Sequence, residues 1–314
     1  MDSQQQQDQK QPSSIGQAIK QQVLKAWQPV PTLNSTIILF GILSVYFLSM
    51  GIVLNVYSGK INQQSFRYDA YCWQEQICNF TIALDTNYTA PIYLYYQLDN
   101  FYQNQRRYIT SKSVEQLSGE KGLGVDDLSS CYPVITNAQM GKTLAIDNIT
   151  RLEPTAPAIP CGLIAQSIFN DTFDISYQVS NGTVYKVEVS NQGIAWPTDL
   201  ELYQNTNISQ QWYNVTDERF MVWMRVAAMP NFRKLWGVIN QDLPQGLYSI
   251  NITNNYDSTN YGGKKYIVFS TTNQFGGKNE FLSVAYICVG VASSLVTIGF
   301  CLKKFFSRAG PKKF

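Results

Sequence analysis

Two uncharged apolar runs lie near the ends of the chain and frame a long polar stretch. The first is Thr36–Val56 (TIILFGILSVYFLSMGIVLNV) and the second is Phe281–Leu302 (FLSVAYICVGVASSLVTIGFCL). At about 1.5 Å of rise per residue, each matches a hydrocarbon core of roughly 30 Å. Core helices of soluble proteins rarely stay uncharged over that length, so both runs are read as membrane spans. A cleaved leader is a poor reading of the first. A 35-residue polar stretch precedes it, its apolar part exceeds the usual core of about 7–15 residues, and no A-x-A-like site follows. The pattern therefore divides the chain into an N-terminal tail (1–35), a span (36–56), a large loop (57–280), a second span (281–302) and a short tail (303–314).

Within the loop the pattern is mainly that of strands. Pro91–Leu98 (PIYLYYQL) is tyrosine-rich, Gly182–Val189 (GTVYKVEV) alternates, and Phe220–Val226 and Lys265–Ser270 are further β-type runs. Asn100–Ser111 reads as a helix or turn, and Gly119–Pro160 as long loops. The expected fold is two transmembrane helices plus a mainly antiparallel, β-sandwich-like ectodomain with some helix.

Charge orients the spans. The tail after Leu302 (KKFFSRAGPKKF) has five basic residues and no acidic one, which keeps it in the cytosol. Two spans then place the N-terminus there too, and the loop on the exoplasmic or lumenal side. The loop carries eight Asn-x-Ser/Thr sequons, at Asn79, Asn87, Asn148, Asn170, Asn181, Asn207, Asn214 and Asn251. N-linked glycans are expected on that side, and no cofactor. Four of the six cysteines are in the loop: Cys72, Cys78, Cys131 and Cys161. Four cysteines allow three pairings, of which Cys72–Cys78 with Cys131–Cys161 closes the shortest loops in an oxidising compartment.

The chain has no histidine. That removes the commonest general base, the commonest zinc ligand and every Ser-His or Cys-His pair, which disfavours hydrolase and metalloenzyme readings. A net charge of +2 without a basic, aromatic-interleaved stripe disfavours a nucleic-acid partner.

Several segments are too particular for scaffolding. They are KQQVLKAWQP before the first span, NFYQNQRRY (100–108), PCGLIAQSIFNDTF (160–173), IAWPTD (194–199), VWMRVAAMPNFRKLWG (222–237) and STTNQFGGKNEFLSVAY (270–286). In order, spacing and two-span topology they resemble the cell division control protein 50, or ligand-effect modulator, family. Members of that family are accessory (beta) subunits of the type IV P-type ATPases, the phospholipid flippases. The resemblance implies a non-catalytic subunit whose partner, the catalytic alpha subunit, holds the nucleotide site and moves membrane phospholipid. It also implies help with folding of the partner, its exit from the endoplasmic reticulum and its activity, in membranes from there to Golgi, endosome or plasma membrane. Many family members carry four cysteines in the early loop, where this chain has two.

Partner contact is expected at Trp27 on the cytosolic side and at Arg106, Arg107, Trp223, Arg225, Arg233, Lys234 and Trp236 in the loop. For the 222–237 segment the alternative is a core strand followed by a turn at Pro230, with its charges solvated or paired internally; for Arg106 and Arg107 the alternatives are lipid headgroups or an internal ion pair, and for Trp27 it is interfacial anchoring. Small residues four apart, Gly290 with Ser294 and Ser293 with Thr297, suit close helix packing in the second span. The rival function is a glycosylated cell-surface receptor or adhesion protein, which shares the ectodomain and the sequons.

Overall fold

In the computed structural model, which describes residues 19–20, 31–73, 75–178 and 183–309, the apolar runs form two long helices. Helix α1 spans Leu33–Gly59. Between the long helices come four strands, β1 (Gln63–Arg67), β2 (Ile77–Leu84), β3 (Ile92–Leu98) and β4 (Thr172–Gln178), with short helices α2 (Arg106–Thr110), α3 (Val114–Leu117), α4 (Asn137–Met140) and α5 (Leu163–Gln166) before β4. After β4 follow β5 (Val184–Val187), α6 (Pro197–Leu202), α7 (Glu218–Met224), β6 (Phe232–Ile239), β7 (Gly246–Thr253) and β8 (Lys265–Ser270). The second long helix, α8, spans Glu280–Ala309.

The chain divides into two compact units, the paired long helices and residues 54–280. Both helices are long and apolar enough to cross a bilayer. Their apolar side chains face outward rather than into a core: Ile42 is 64% exposed and Val45 70%. A core helix of a soluble protein would bury these positions, so the exposure fits an integral membrane protein. The helices approach through small residues. A Cβ on Gly51 would lie 2.7 Å from Ile287 Cγ1, and one on Gly290 would lie 2.9 Å from the Leu48 backbone nitrogen. Beyond the Gly290–Leu48 contact, one turn further along, the Ser44 and Ser294 hydroxyls share a hydrogen bond. The close approach expected at Gly290 and Ser294 is thus present, and it needs the absence of side chains.

The ectodomain is two four-stranded antiparallel sheets, β1-β8-β3-β6 and β2-β7-β4-β5. Period-2 alternation builds them. In β2, Cys78, Phe80, Ile82 and Leu84 are buried and every intervening residue is exposed. In β3, Ile92, Leu94, Tyr96 and Leu98 point inward in the same way. The buried faces share one hydrophobic core, with Phe173 of β4 edge-on to Trp236 of β6 at 5.1 Å. This is the expected sandwich-like architecture.

One expected strand is a helix. Phe220–Val226 has β-type composition, but the Asp217 carboxylate accepts the Arg219 N–H at 3.1 Å and starts α7 at Glu218. Phe220, Met221, Trp223 and Met224 then lie at helical spacing on the buried side. The Gly119–Pro160 stretch is mainly loop with short helical turns, as expected.

Disulfides Cys72–Cys78 and Cys131–Cys161 join the pairs nearest in sequence. Beside the first, a buried ion pair ties the two sheets together. Lys265 Nζ, on the inner face of β8, is 2.7 Å from Asp171 Oδ2, just ahead of β4. Tyr68 Oη donates to the same oxygen at 2.6 Å, and the Tyr256 N–H donates to Asp171 Oδ1 at 2.6 Å. The remaining lysine protons reach Asn254 Oδ1 and the Tyr256 carbonyl. Burial, with Asp171 adding to it, pushes the Tyr68 phenol well above its ordinary range.

Two outcomes follow. Asp171→Ala leaves the Lys265 ammonium buried without its counter-charge and should cost about 3–5 kcal/mol, whereas Asp171→Leu with Lys265→Met should cost less; thermal unfolding of the purified protein compares them. Separately, Ser44→Cys with Ser294→Cys should cross-link under mild oxidation, and adding Gly290→Leu should abolish the cross-link by forcing the helices apart at roughly 1–3 kcal/mol.

Candidate docking surface

Four of the singled-out segments, distant in sequence, meet in one cluster around α7. Trp223, fully buried, donates its indole N–H to the Ile164 carbonyl at 2.7 Å, which joins VWMRVAAMPNFRKLWG to PCGLIAQSIFNDTF. Tyr108 Oη and Ser167 Oγ, 2.7 Å apart, bring in NFYQNQRRY. The turn at Pro160-Cys161-Gly162 has a specific need for glycine. Gly162 sits at φ +99°, and a Cβ there would collide with the Ser111 carbonyl. Gln116, also buried, accepts the Cys161 N–H at 2.9 Å and donates to the Ala158 carbonyl at 3.1 Å, and so clamps that turn beside the second disulfide.

Lys234 finishes α7. Its position in β6 points into the core, and its ammonium donates to the Val222, Trp223 and Arg225 carbonyls at 3.2, 2.5 and 2.7 Å. These are the orphan acceptors of the helix C-terminus, where a cation is favoured. The ammonium also lies 4.8 Å from the Trp223 ring centre. Burial pushes Lys234 down to about 7, while the carbonyls and the ring favour the proton staying on.

These contacts correct part of the expectation. Trp223, Lys234 and Trp236 are interior side chains. Trp236 packs on Phe173 and carries the Arg219 guanidinium 3.6 Å above its ring. Inward positions of a strand and the buried stripe of a helix leave them no free face for a partner.

The other named residues are at the surface. Arg106 and Arg107 open α2 and are exposed; neither makes an ion pair among the described residues. Arg233 is exposed on β6 and donates to Gln97 Oε1 at 2.8 Å. Arg225 grips Asp199 through two hydrogen bonds, Nε to Oδ2 at 2.5 Å and Nη2 to Oδ1 at 3.0 Å. It also lies 4.7 Å over the ring of Trp196. Trp27 and Asn181 lie outside the described residues, while the other seven sequon asparagines are all exposed.

Sequence reasoning passed over Trp196, which is 61% exposed. It stands just before α6, whose first residue is Pro197. A proline at the first helical position keeps the preceding residue extended and outside the helix, and that was the available signal. Nearby lacing sets two more exposed apolar side chains. Ala227 N–H donates to Gln103 Oε1 and Asn104 Nδ2 to the Ala228 carbonyl, both at 2.9 Å, while Phe101 N–H reaches the Pro230 carbonyl at 3.0 Å. Tyr102 and Met229, 58% and 67% exposed, stand on these two laced loops. A tryptophan held by an arginine that is itself held by a carboxylate is a preorganised aromatic anchor, the kind of group that dominates protein interfaces.

Comparison with known proteins gives a consistent result. Residues 57–310 match the sequence model of the family described as the LEM3 (ligand-effect modulator 3) family / CDC50 family. The chain is 34% identical to the putative ALA-interacting subunit 2 of Arabidopsis thaliana, over 90% of this chain and 85% of that protein. It is 31% identical to cell cycle control protein 50A of Bos taurus, over 90% and 86%. To cell cycle control protein 50B of Homo sapiens it is 32% identical, over 93% of each. On this match along nearly its whole length, the chain belongs to the LEM3/CDC50 family.

Proposed function

We propose that the chain is the non-catalytic accessory subunit of a phospholipid-translocating type IV P-type ATPase, needed for folding of that partner, its exit from the endoplasmic reticulum and its activity. Family membership and the relatives named as interacting subunits support this reading. The observation that carries it furthest is the convergence of the family-like segments on one exposed group, Trp196 with Arg225 and Asp199. Segments that serve only the core would leave no such ordered aromatic on the outside. The ectodomain faces the exoplasmic or lumenal side, both termini are cytosolic, and the sequons Asn79, Asn87, Asn148, Asn170, Asn181, Asn207, Asn214 and Asn251 are acceptors for N-glycans. Arg106, Arg107, Arg225 and Arg233 meet the partner in the loop, and Trp27 does so on the cytosolic side.

Purification of the tagged chain in mild detergent should recover a P-type ATPase, with mass spectrometry identifying it. Trp196→Ala should weaken that recovery roughly 30-fold, the loss of about 2 kcal/mol at a hot spot, without changing the thermal midpoint of the chain itself. Repeated recovery of the chain alone would remove the reading. Cells lacking the gene separate it from the receptor alternative: impaired uptake of fluorescent phospholipid supports the subunit, and normal uptake with defective attachment supports the receptor.

A further inference from the structure

The family-like segment STTNQFGGKNEFLSVAY (270–286) takes no part in the Trp196 group. Its first half forms a turn fastened to the C-terminal end of α1. Asn273 and Gly276 exchange backbone hydrogen bonds, Asn273 N–H to the Gly276 carbonyl at 3.1 Å and Gly276 N–H to the Asn273 carbonyl at 2.9 Å. Gly276 sits at φ +97°, which the turn needs and a glycine allows. The Asn273 amide works in both directions. Its Oδ1 accepts the Phe275 N–H at 2.9 Å. Its Nδ2 donates at 2.8 Å to the Tyr57 carbonyl, an acceptor left open where the helix ends. On either side of the turn, Thr271 N–H donates to the Asn62 carbonyl at 2.9 Å and Asn279 N–H to Ser58 Oγ at 3.2 Å.

All this fastening holds up a phenylalanine that no core covers. Phe275 is 53% exposed. Its ring stands edge-on to that of Tyr57, itself exposed, with centres 5.1 Å apart. Lys60 Nζ lies 5.3 Å from the Tyr57 ring centre. Lys60 makes no ion pair among the described residues, whereas Lys278 is paired with Glu280 at 3.0 Å. Fixing a turn around an exposed ring costs conformational entropy that water does not return. The interfacial layer of a bilayer does return it, because that layer takes aromatic bodies together with polar or cationic tips. Chain position puts the group at such a layer. Tyr57 directly follows the uncharged run 36–56, and Phe275 lies shortly before the run that starts at Phe281. We propose that the Asn273–Gly276 turn is a membrane-surface wedge. The rings of Phe275 and Tyr57 enter the interfacial layer of the leaflet on the loop side, and the Lys60 ammonium pairs with a phospholipid phosphate there. Only the two spans are needed for this, and no partner protein.

Nitroxide labelling of the full-length chain in phosphatidylcholine nanodiscs tests it, with Cys288→Ser and Cys301→Ser removing the free thiols. Oxygen concentrates in the bilayer and a neutral nickel chelate in water, so the ratio of a label's accessibility to the two reports its depth. The oxygen-to-nickel ratio at Phe275→Cys should be several-fold higher than at Ile149→Cys, an exposed ectodomain position. Asn273→Ala, which removes both side-chain ties, should lower the ratio at position 275 toward that at 149. Lys60→Glu, which sets a carboxylate against the phosphates, should lower it as well. Gln274→Cys keeps Phe275 and should show a smaller rise above the Ile149 value; it carries the same comparison if Phe275→Cys does not fold. Equal ratios at the turn and at Ile149 would overturn the proposal. A label at position 275 shielded from both reagents, in the chain alone or in a complex recovered with an ATPase, would overturn it in favour of a protein contact.

Discussion

The Lys265–Asp171 pair is the contact on which the ectodomain's arrangement depends. A charge taken out of water is tolerated only if every lone pair and proton is used, and here each of the three ammonium protons and both carboxylate oxygens has a partner. Those partners come from the ends of four strands. Lys265 begins β8, Tyr68 follows β1, Asp171 precedes β4, and Asn254 and Tyr256 follow β7. Asn254 also donates to the Cys72 carbonyl at 2.8 Å and the Glu75 carbonyl at 3.1 Å, so the node holds the loop closed by the first disulfide. A shift of one residue in β8 or β4 would carry a charge to the wrong face, and one in β1 or β7 would withdraw its hydrogen-bond partners. The pair therefore fixes register across both sheets, and fixing register is a better-attested role for buried ions than adding stability.

Lys234 repeats the device with a different counterpart. It too occupies an inward strand position, but it meets helix carbonyls in place of a carboxylate. That choice links the sandwich to the helical cluster: β6 positions the ammonium, and the ammonium ends α7 at Met224. Arg225 then leaves the helix in an extended conformation that reaches Asp199 and Trp196. The exposed anchor thus rests on a buried lysine about ten residues further along the chain. A substitution at Lys234 would act at the surface through the helix terminus, without Lys234 touching anything outside.

The two spans, the sandwich-like class and the nearest-neighbour disulfides were legible because each follows from local pattern: an uncharged run of bilayer length, alternation with turns, and cysteine spacing. Further strands were equally legible and were passed over. Ile77–Leu84 and Gly246–Thr253 alternate as regularly as any, and their sequons mark the outward positions. The buried ions were not legible. Asp171 reads as the middle residue of the Asn170-Asp171-Thr172 sequon, and nothing local ties it to a lysine 94 positions away. Tryptophans were misjudged for a related reason. Trp223 and Trp236 look like anchors beside arginine and lysine, but strand and helix phase turns them inward, and phase at Trp223 depends on a helix whose composition suggests a strand.

Sequon placement adds a constraint that neither pattern nor packing supplies alone. Asn79 and Asn251 are direct cross-strand partners in β2 and β7, and both point outward. The outer face of that sheet therefore presents two acceptor sites at neighbouring positions, whereas strands β1, β8, β3 and β6 contain no sequon at all. The outward positions of β3 and β8 instead include Tyr93, Tyr95 and Tyr266, half-buried aromatics with polar ends. Glycan acceptor sites on one sheet and tyrosine on the other make the sandwich two-sided in chemistry although its strands are alike in number and direction. With Asn79 and Asn251 glycosylated as proposed, a protein approaching the ectodomain would find hydrated carbohydrate in its way on the β2-β7 side. The opposite sheet offers bare side chains, with Arg233 on its edge strand β6. The same strand carries Lys234, which ends α7, so the sequon-free sheet and the Trp196 anchor are positioned by one element.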